Sequence, residues 1–537
     1  MVWRLHRQNK MGGLDEARGH SAARSSTTLR RAGSRRVLGA IVVSASCAVG
    51  PAYHVPTART PTAMAYKEAG WKVASPSDAI PRGRWWQMFH EPELDALEAQ
   101  LNINNQTIAL AFENYLMARA QIRFARASYF PTVTAAPSAT WFRSSGVSGT
   151  GATGVGGTGA TGSVVGTSGT SSVAGRHVVY VAPVDASWAP DLFGRVRYAV
   201  RQRQYGAQVS AADLESTRLL QQSMLAQTYF QIRAQDALQV DLDATVAANE
   251  QIVALTRSRF TAGIDSEVVV VQAELTLQNS RVQATNAAIL RTRFEHAIAT
   301  LIGVPATELT LPRRALHAVP PPIPTGTPSQ LLERRPDIAA AERQMASANA
   351  VIGLGYAAYY PLITLTGDVG FASAAIDTLF SWPSRIWSIG ANLAETLFDG
   401  GARRATIDQA IASYNASVAN YRQTVLVAFQ QVEDNLAATR ILAAEVKQQR
   451  TAVELALRAF ELERERYEKG LDPYINLAVQ QTALLAARQA LVSLESQQMT
   501  SAVLLVEALG GGWTRSALPT PDQVSKPPRA SERQIWR

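Results

Sequence analysis

The chain has 537 residues, of which 47% are apolar and 18% charged, with a formal net charge of +9. Residues 1–46 hold nine Lys/Arg against two acids and so carry +7 of that charge; the basicity is local, and without an RNP-like, finger or basic-helix pattern beside it nucleic-acid binding is not expected. A single cysteine rules out an internal disulfide framework.

In chain order, Arg30-Arg31 and Arg35-Arg36 precede an apolar run from Val37 to Val43, then Ser44-Ala45-Ser46 and Cys47. Charged, apolar and small residues in that order make an export signal over 1–46. The cysteine behind them reads as the lipid-accepting first residue of a mature bacterial lipoprotein. Ser44 stands where Leu is usual, Ser34-Arg35-Arg36 also resembles a twin-arginine signal, and the segment is long enough to leave a translation start downstream of Met1 as an alternative. No stretch nears the roughly 18 consecutive apolar residues of a spanning helix. A mature chain that crosses a membrane must use strands.

After a linker over 47–104 the sequence repeats itself. A shift of about 230 sets Tyr129-Phe130-Pro131 on Tyr359-Tyr360-Pro361, Ile108 on Ile338 and Ile122 on Ile352. From Thr217 onwards a shift of about 207 sets Arg259-Phe260 on Arg466-Tyr467, Gly263 on Gly470 and Asp265 on Asp472. The difference falls in the first copy, where a Gly/Ser/Thr tract runs from Ser144 to Gly175. The expected organisation is repeat 1 over 105–310, a linker over 311–334, repeat 2 over 335–513 and a polar tail over 514–537. Each copy reads helix, strand, loop, strand, long helix, turn, helix.

Four stretches alternate like strands, at about 132–143, 177–189, 362–372 and 386–397. In the third, Ile363, Leu365, Gly367, Val369 and Phe371 oppose Thr364, Thr366, Asp368 and Gly370. An apolar face tipped with aromatics suits a lipid-facing barrel, with a soluble sandwich as the alternative. Four strands cannot close a membrane barrel, and an open edge in hydrocarbon leaves backbone groups unpaired. Two copies would supply eight strands and three would supply twelve, both permitted numbers.

Four segments lack both Gly and Pro: Ala207 to Ala262, Ile264 to Ile302, Ala402 to Lys469 and Tyr474 to Leu509. Rich in Ala, Leu, Gln, Glu and Arg, they predict long helices. Ile407, Ile411, Tyr414, Val418, Tyr421, Val425, Ala428 and Val432 form a heptad seam within the third. Basic residues, then Gly263 or Gly470, then Asp265-Ser266 or Asp472-Pro473 mark a helix end followed at once by a helix start. Each copy therefore forms a long antiparallel hairpin with a tight tip.

Catalytic signatures are missing. The two GxGxxG matches in the Gly-rich tract follow no strand that opens a helix. The histidines lack metal-ligand spacing, and no GxSxG or Walker loop occurs. Glu461, Glu463, Glu465 and Glu468 alternate with Arg464 and Arg466, as on a solvated helix face. No enzyme activity, cofactor or metal is expected.

The residues resemble the outer-membrane factors of tripartite efflux pumps, in the lipoprotein branch that works with resistance-nodulation-division transporters. The resemblance rests on Cys47-Ala48-Val49-Gly50-Pro51, Pro81-Arg82-Gly83 before Trp85-Trp86, Pro92-Glu93-Leu94, both aromatic-Pro strand starts, Asp191-Leu192-Phe193-Gly194, Leu397-Phe398-Asp399-Gly400-Gly401, Arg334-Arg335-Pro336-Asp337-Ile338 and the two glycine tips. It implies a mainly α, internally duplicated fold. Three chains would together close an outer-membrane β-barrel, four strands from each, continued by a long periplasmic helical barrel. It implies a passive exit duct for drugs or other toxic compounds, lipidated at Cys47 in the outer membrane of a Gram-negative cell, with a periplasmic adaptor and an inner-membrane transporter as partners. Around the tips, Arg259, Gly263, Asp265, Ser266, Arg466, Gly470 and Asp472 are expected to meet the adaptor. Where relatives carry acids just beyond each tip, this chain has Val269, Asn476 and Val479, so the periplasmic aperture is expected to be less charge-selective. A duct for type I protein secretion and a lipid-anchored coiled-coil scaffold without a pore are the alternatives.

Overall fold

The structure, a computed structural model, describes residues 50–56, 84–143, 176–315, 319–323 and 334–528, all within the unit that runs from Cys47 to Arg537. A 3-10 turn, Trp85–Phe89, buries Trp85, Trp86 and Phe89 ahead of α1 (Pro92–Asn104). Asn105 separates α1 from α2 (Gln106–Ala127). Its side-chain oxygen accepts the Ile108 N–H at 2.9 Å, and its amide donates to the Leu301 carbonyl at 2.7 Å.

Next come β1 (Thr132–Ala135), β2 (Ser138–Arg143) and β3 (Arg176–Trp188), then the hairpin of α3 (Arg195–Thr261) and α4 (Glu267–Leu301). The second copy supplies α5 (Pro336–Ala357), β4 (Leu362–Ser373), β5 (Arg385–Ala394) and the hairpin of α6 (Ala402–Glu468) and α7 (Tyr474–Ala508). A short α8 (Pro521–Ser525) follows. α3 and α6 each have 67 residues, an extent of about 100 Å.

Three boundaries differ from the sequence reading. α3 begins at Arg195 rather than Ala207 and passes through Gly206; an interior Gly costs about 1 kcal/mol, which packing of α3 against α2, α4, α5 and α7 offsets. The first strand is split at Ala136-Pro137, because Pro137 has no N–H to give the ladder. The last strand stops at Ala394, where Arg403 binds Glu395 at 3.1 Å and Asp399 at 2.8 Å and turns the chain into α6.

The strands form one antiparallel sheet, with β1 and β2 in succession along β3, followed by β4 and β5. Pro183 in β3 lies opposite Gly370 in β4. A Cβ at Gly370 would sit 2.4 Å from the Ala182 carbonyl oxygen, so only glycine admits that approach.

The main core gathers Trp85, Phe89, Leu101, Tyr229, Phe230, Val432 and Leu505 around the middle of the hairpins. Much of the heptad seam faces inward: Ile407, Tyr421, Val425, Ala428 and Val432 are buried, while Ile411 remains exposed. Buried Arg233 clamps α1 to α3 through Glu93 and Asp236, at 2.7 and 2.8 Å. A second cluster joins the two hairpins near their tips: Ile252, Val253, Ala273 and Leu277 pack with Phe460, Tyr467, Tyr474 and Leu477. Among the described residues no helix is long and apolar enough to cross a membrane.

Candidate functional site: the sheet wall and the hairpin tips

Strand register sorts the sheet into two chemically distinct faces. One row across it is Val133, Ala186, Gly367 and Ile389, and the next on that face is Ala135, Val184, Val369 and Trp387. Trp387 and Ile389 are 74% and 84% exposed. The opposite face carries Thr134, Asp185, Asp368 and Ser388 in one row and Thr132, Ser187, Thr366 and Gly390 in another. Asp185 and Asp368 are directly opposed, a placement that costs stability unless water or a donor relieves it. The Ser388 hydroxyl donates to Asp368.

Aromatic residues collect at both ends of the strands. Near the helices, Phe193 stacks on Tyr360 with ring centroids 4.8 Å apart, and the Trp188 indole donates to the Tyr129 carbonyl at 3.0 Å. At the far end Phe371 meets Phe380 at 5.5 Å, with Trp382 exposed beside them. Rings flanking an apolar band are what a strand wall needs at two membrane–water boundaries.

Both tips turn on a left-handed glycine, Gly263 at φ +75° and Gly470 at φ +74°. The N–H groups of Ile264 and Leu471 return to the carbonyls of Arg259 and Arg466, each at 2.9 Å. Ser266 occupies the cap position of α4 without a side-chain capping bond. Asp265 instead turns back to Arg259, whose Nε lies 2.8 Å away. Asp472 likewise takes Arg466 and accepts the Asn476 amide at 3.0 Å.

The two tips are tied together by a residue that the sequence reading did not single out. Tyr467, 1% exposed, donates its hydroxyl to Asp265 at 3.0 Å and lies 3.2 Å from the Thr256 hydroxyl. The Arg259 guanidinium stacks 4.9 Å above its ring and donates to its carbonyl at 3.2 Å. The hydrogen-bonded guanidinium of Arg259 holds the Asp265 carboxyl below the usual carboxylate range, and Arg466 does the same for Asp472. Burial pushes the Tyr467 hydroxyl up, which keeps it a donor. One signal was legible: the repeat sets Phe260 opposite Tyr467, so only the second copy carries a hydroxyl there.

The three positions expected at the aperture sit just past the turns, Val269 on α4 and Asn476 and Val479 one turn apart on α7. Val269 is half-buried against the tip cluster, Asn476 is engaged by Asp472, and Val479 is 55% exposed on α7. Cys47 lies outside the described residues. Three positions later, the Gly50 N–H donates to the Tyr198 hydroxyl at 2.8 Å, and Tyr53 donates to Glu342 at 2.7 Å. Tyr198 stands in the first turn of α3, directly below the sheet, and Gly50 presses against Gly353 of α5 so closely that a Cβ would lie 2.5 Å from the Gly353 Cα. The N-terminal strap thus meets the helices at the sheet end of the hairpins.

Comparison with known proteins bears on this architecture. Residues 97–304 and 327–511 match the family described as outer membrane efflux protein. The chain is 30% identical over 470 residues to the probable efflux pump outer membrane protein TtgC of Pseudomonas putida, covering 87% of this chain and 93% of that protein. It is 30% identical over 449 residues to the pyoverdine export outer membrane protein OpmQ of Pseudomonas aeruginosa, covering 82% of this chain and 90% of that one. Among solved structures, the outer-membrane channel OprN superposes with a TM-score of 0.74 at 26% identity, over 87% of this chain and 100% of that one. The Campylobacter jejuni CmeC channel shares the fold, with a TM-score of 0.78 at 22% identity over 90% of this chain and 100% of that one. With a match over both repeats and a common fold, the chain belongs to the outer membrane efflux protein family.

Proposed function

We propose that this chain is the outer-membrane exit duct of a tripartite efflux pump, conducting small toxic compounds passively from an inner-membrane transporter to the exterior. The observation that carries the reading is the two-faced sheet, apolar on one side and hydroxyl- and carboxylate-bearing on the other, mounted on helices of about 100 Å. The sheet has edges at β1/β2 and at β5. In hydrocarbon those edges need partners, so the duct exists only as a ring of copies, and three copies give a twelve-strand barrel. The apolar face meets lipid and the polar face lines the passage.

Transport is driven by a resistance-nodulation-division transporter reached through a periplasmic adaptor. The adaptor meets the tips at Arg259, Gly263, Asp265, Ser266, Arg466, Gly470 and Asp472. Val269, Asn476 and Val479 lie just beyond the turns, where the ring narrows. Cys47 carries the lipid, and the strap that follows it fits that role, because Gly50 is already held at the sheet end of α3. At about 0.8 kcal/mol per buried CH₂, acyl chains on Cys47 hold each copy firmly at the membrane.

A deletion strain tested against antibiotics, dyes and organic solvents should become more sensitive to at least one class. The purified protein should form heat-modifiable multimers that conduct in planar bilayers. A monomer that makes no conducting hole in lipid would overturn the reading.

A further inference from the structure

We infer that the far end of the sheet's apolar face is a binding belt for a phosphorylated glycolipid, with Arg385 of β5 as its innermost phosphate contact. This rests on the reading above that the apolar face meets lipid.

Directly opposed residues share a face, so the register extends the apolar rows away from the helices. Beyond Val184, Val369 and Trp387 come Ala182, Phe371 and Arg385, then Ala139, Tyr180 and Ser373, then Trp141 and Val178, and last Arg143 opposite Arg176. The charged residues on this face of the strands are Arg143, Arg176 and Arg385. All are basic, and all lie towards the end away from the helices.

Arg385 is held in place without an acid. Its Nε donates to the Trp382 carbonyl at 3.1 Å, and its guanidinium lies over the Trp382 ring. Among the described residues it joins no ion pair. The turn that carries Trp382 is pinned by Ser384, whose hydroxyl donates to the Thr378 carbonyl at 2.8 Å. Phe380, Trp382 and Trp387 stand exposed around it. The other end of β5 is the reverse case, because Arg403 there is neutralised by Glu395 and Asp399. A guanidinium beside hydrocarbon needs an anion, and where its own chain gives none the lipid supplies it. Phosphate suits the planar fork, and the exposed rings suit the boundary with the acyl chains.

The spread of the arginines selects the lipid. Ala182, level with Arg385, and Arg176 are six residues apart on β3, about 20 Å of strand or about 15 Å along the membrane normal at a tilt near 40°. The headgroup layer of a phospholipid is only about 5–7 Å deep. A headgroup with phosphates on successive sugars spans the belt. Tyr180 and the exposed Trp141, between the two levels, offer a hydroxyl and a ring to those sugars.

The test uses the full-length multimer, purified and stripped of lipid, with native mass spectrometry as the readout and lipid A bearing its inner core sugars as the probe. The unmodified protein should bind this probe about tenfold more tightly than the same lipid after dephosphorylation, and about tenfold more tightly than phosphatidylglycerol. R385Q should weaken binding about fivefold, and R143Q with R176Q and R385Q about twentyfold or more, while conduction in planar bilayers persists. Phosphatidylglycerol bound as tightly as the probe, or a triple variant that binds the probe like the unmodified protein, overturns the belt. Channels that conduct but never retain the glycolipid defeat the belt alone. Protein that neither multimerises nor conducts defeats the duct reading as well.

Discussion

Tyr467 of the second hairpin donates its hydroxyl to Asp265 of the first at 3.0 Å, across 202 positions of sequence. The bond crosses between the two tips, and Arg259 reinforces it by binding Asp265 and covering the Tyr467 ring. A hydrogen bond to a charged acceptor contributes about 1.5–3 kcal/mol. Tyr467→Phe keeps the ring and removes the hydroxyl's bonds to Asp265 and Thr256, so it should shift the tips towards the open state by roughly ten- to hundredfold. Single-channel recordings should show a higher open fraction or conductance for Tyr467→Phe, and a larger effect for Arg259→Ala. Unchanged conductance in both variants would mean that this contact does not restrain the aperture.

Acid should loosen the same contact only at the extreme. Asp265 and Asp472 have carboxyls held below the ordinary range, first by their arginine partners. A carboxyl lowered in the folded state contributes stability that is fully present above its unfolded value, about 3.9, and lost as pH falls through the folded value. Channel closure should therefore be nearly constant from pH 7 to pH 5 and weaken below about pH 4. A steep opening between pH 7 and pH 5 would assign the restraint to some other group.

How much of this could be read beforehand depended on whether the signal was local. Gly263 and Gly470 fix their turns through their own backbones, so both tips were legible from a few residues. The strand faces were equally plain, since alternation is a property of consecutive residues. The Pro137 break required knowing that this stretch pairs with β3 opposite Pro183, and the start of α3 at Arg195 depended on helices that pack over Gly206. Tyr467 was hidden for the same reason. Its role lies in a contact with Thr256, Arg259 and Asp265, residues about two hundred positions away, and only the Phe260–Tyr467 difference between copies hinted at it.

The passage should carry its charge preference in the sheet rather than at the tips. Asp185 and Asp368 sit side by side on the polar face, and a ring of three copies would bring about six carboxylates to one level. Such a belt concentrates cations by several kT of potential when ionic strength is low. D185N with D368N should lower the cation-to-anion permeability ratio about two- to fivefold at low salt and change little near 1 M, where the Debye length is about 3 Å. Reversal potentials in asymmetric salt report this directly. A ratio unmoved by the double substitution would place those carboxylates outside the conducting path.

Glu98 presents the opposite electrostatic case, a carboxyl without a cation. It is fully buried in α1, neither oxygen has a hydrogen-bond partner among the described residues, and burial followed by the nearby Asp95 pushes it well above the usual carboxylate range. In the folded chain it therefore keeps its proton at pH values where the unfolded chain has lost it. From about 4.3 upward to the folded value, the unfolded state binds fewer protons, so stability falls as pH rises. Glu98→Gln removes the ionisation while keeping shape, and should stabilise the protein by about 1 kcal/mol at neutral pH but hardly at all near pH 4. Thermal dissociation of the multimer, compared for the two proteins at pH 4.5 and pH 8, should show curves that separate only at the higher pH. Equal separation at both would mean that the amide acts through packing and that the Glu98 proton plays no part.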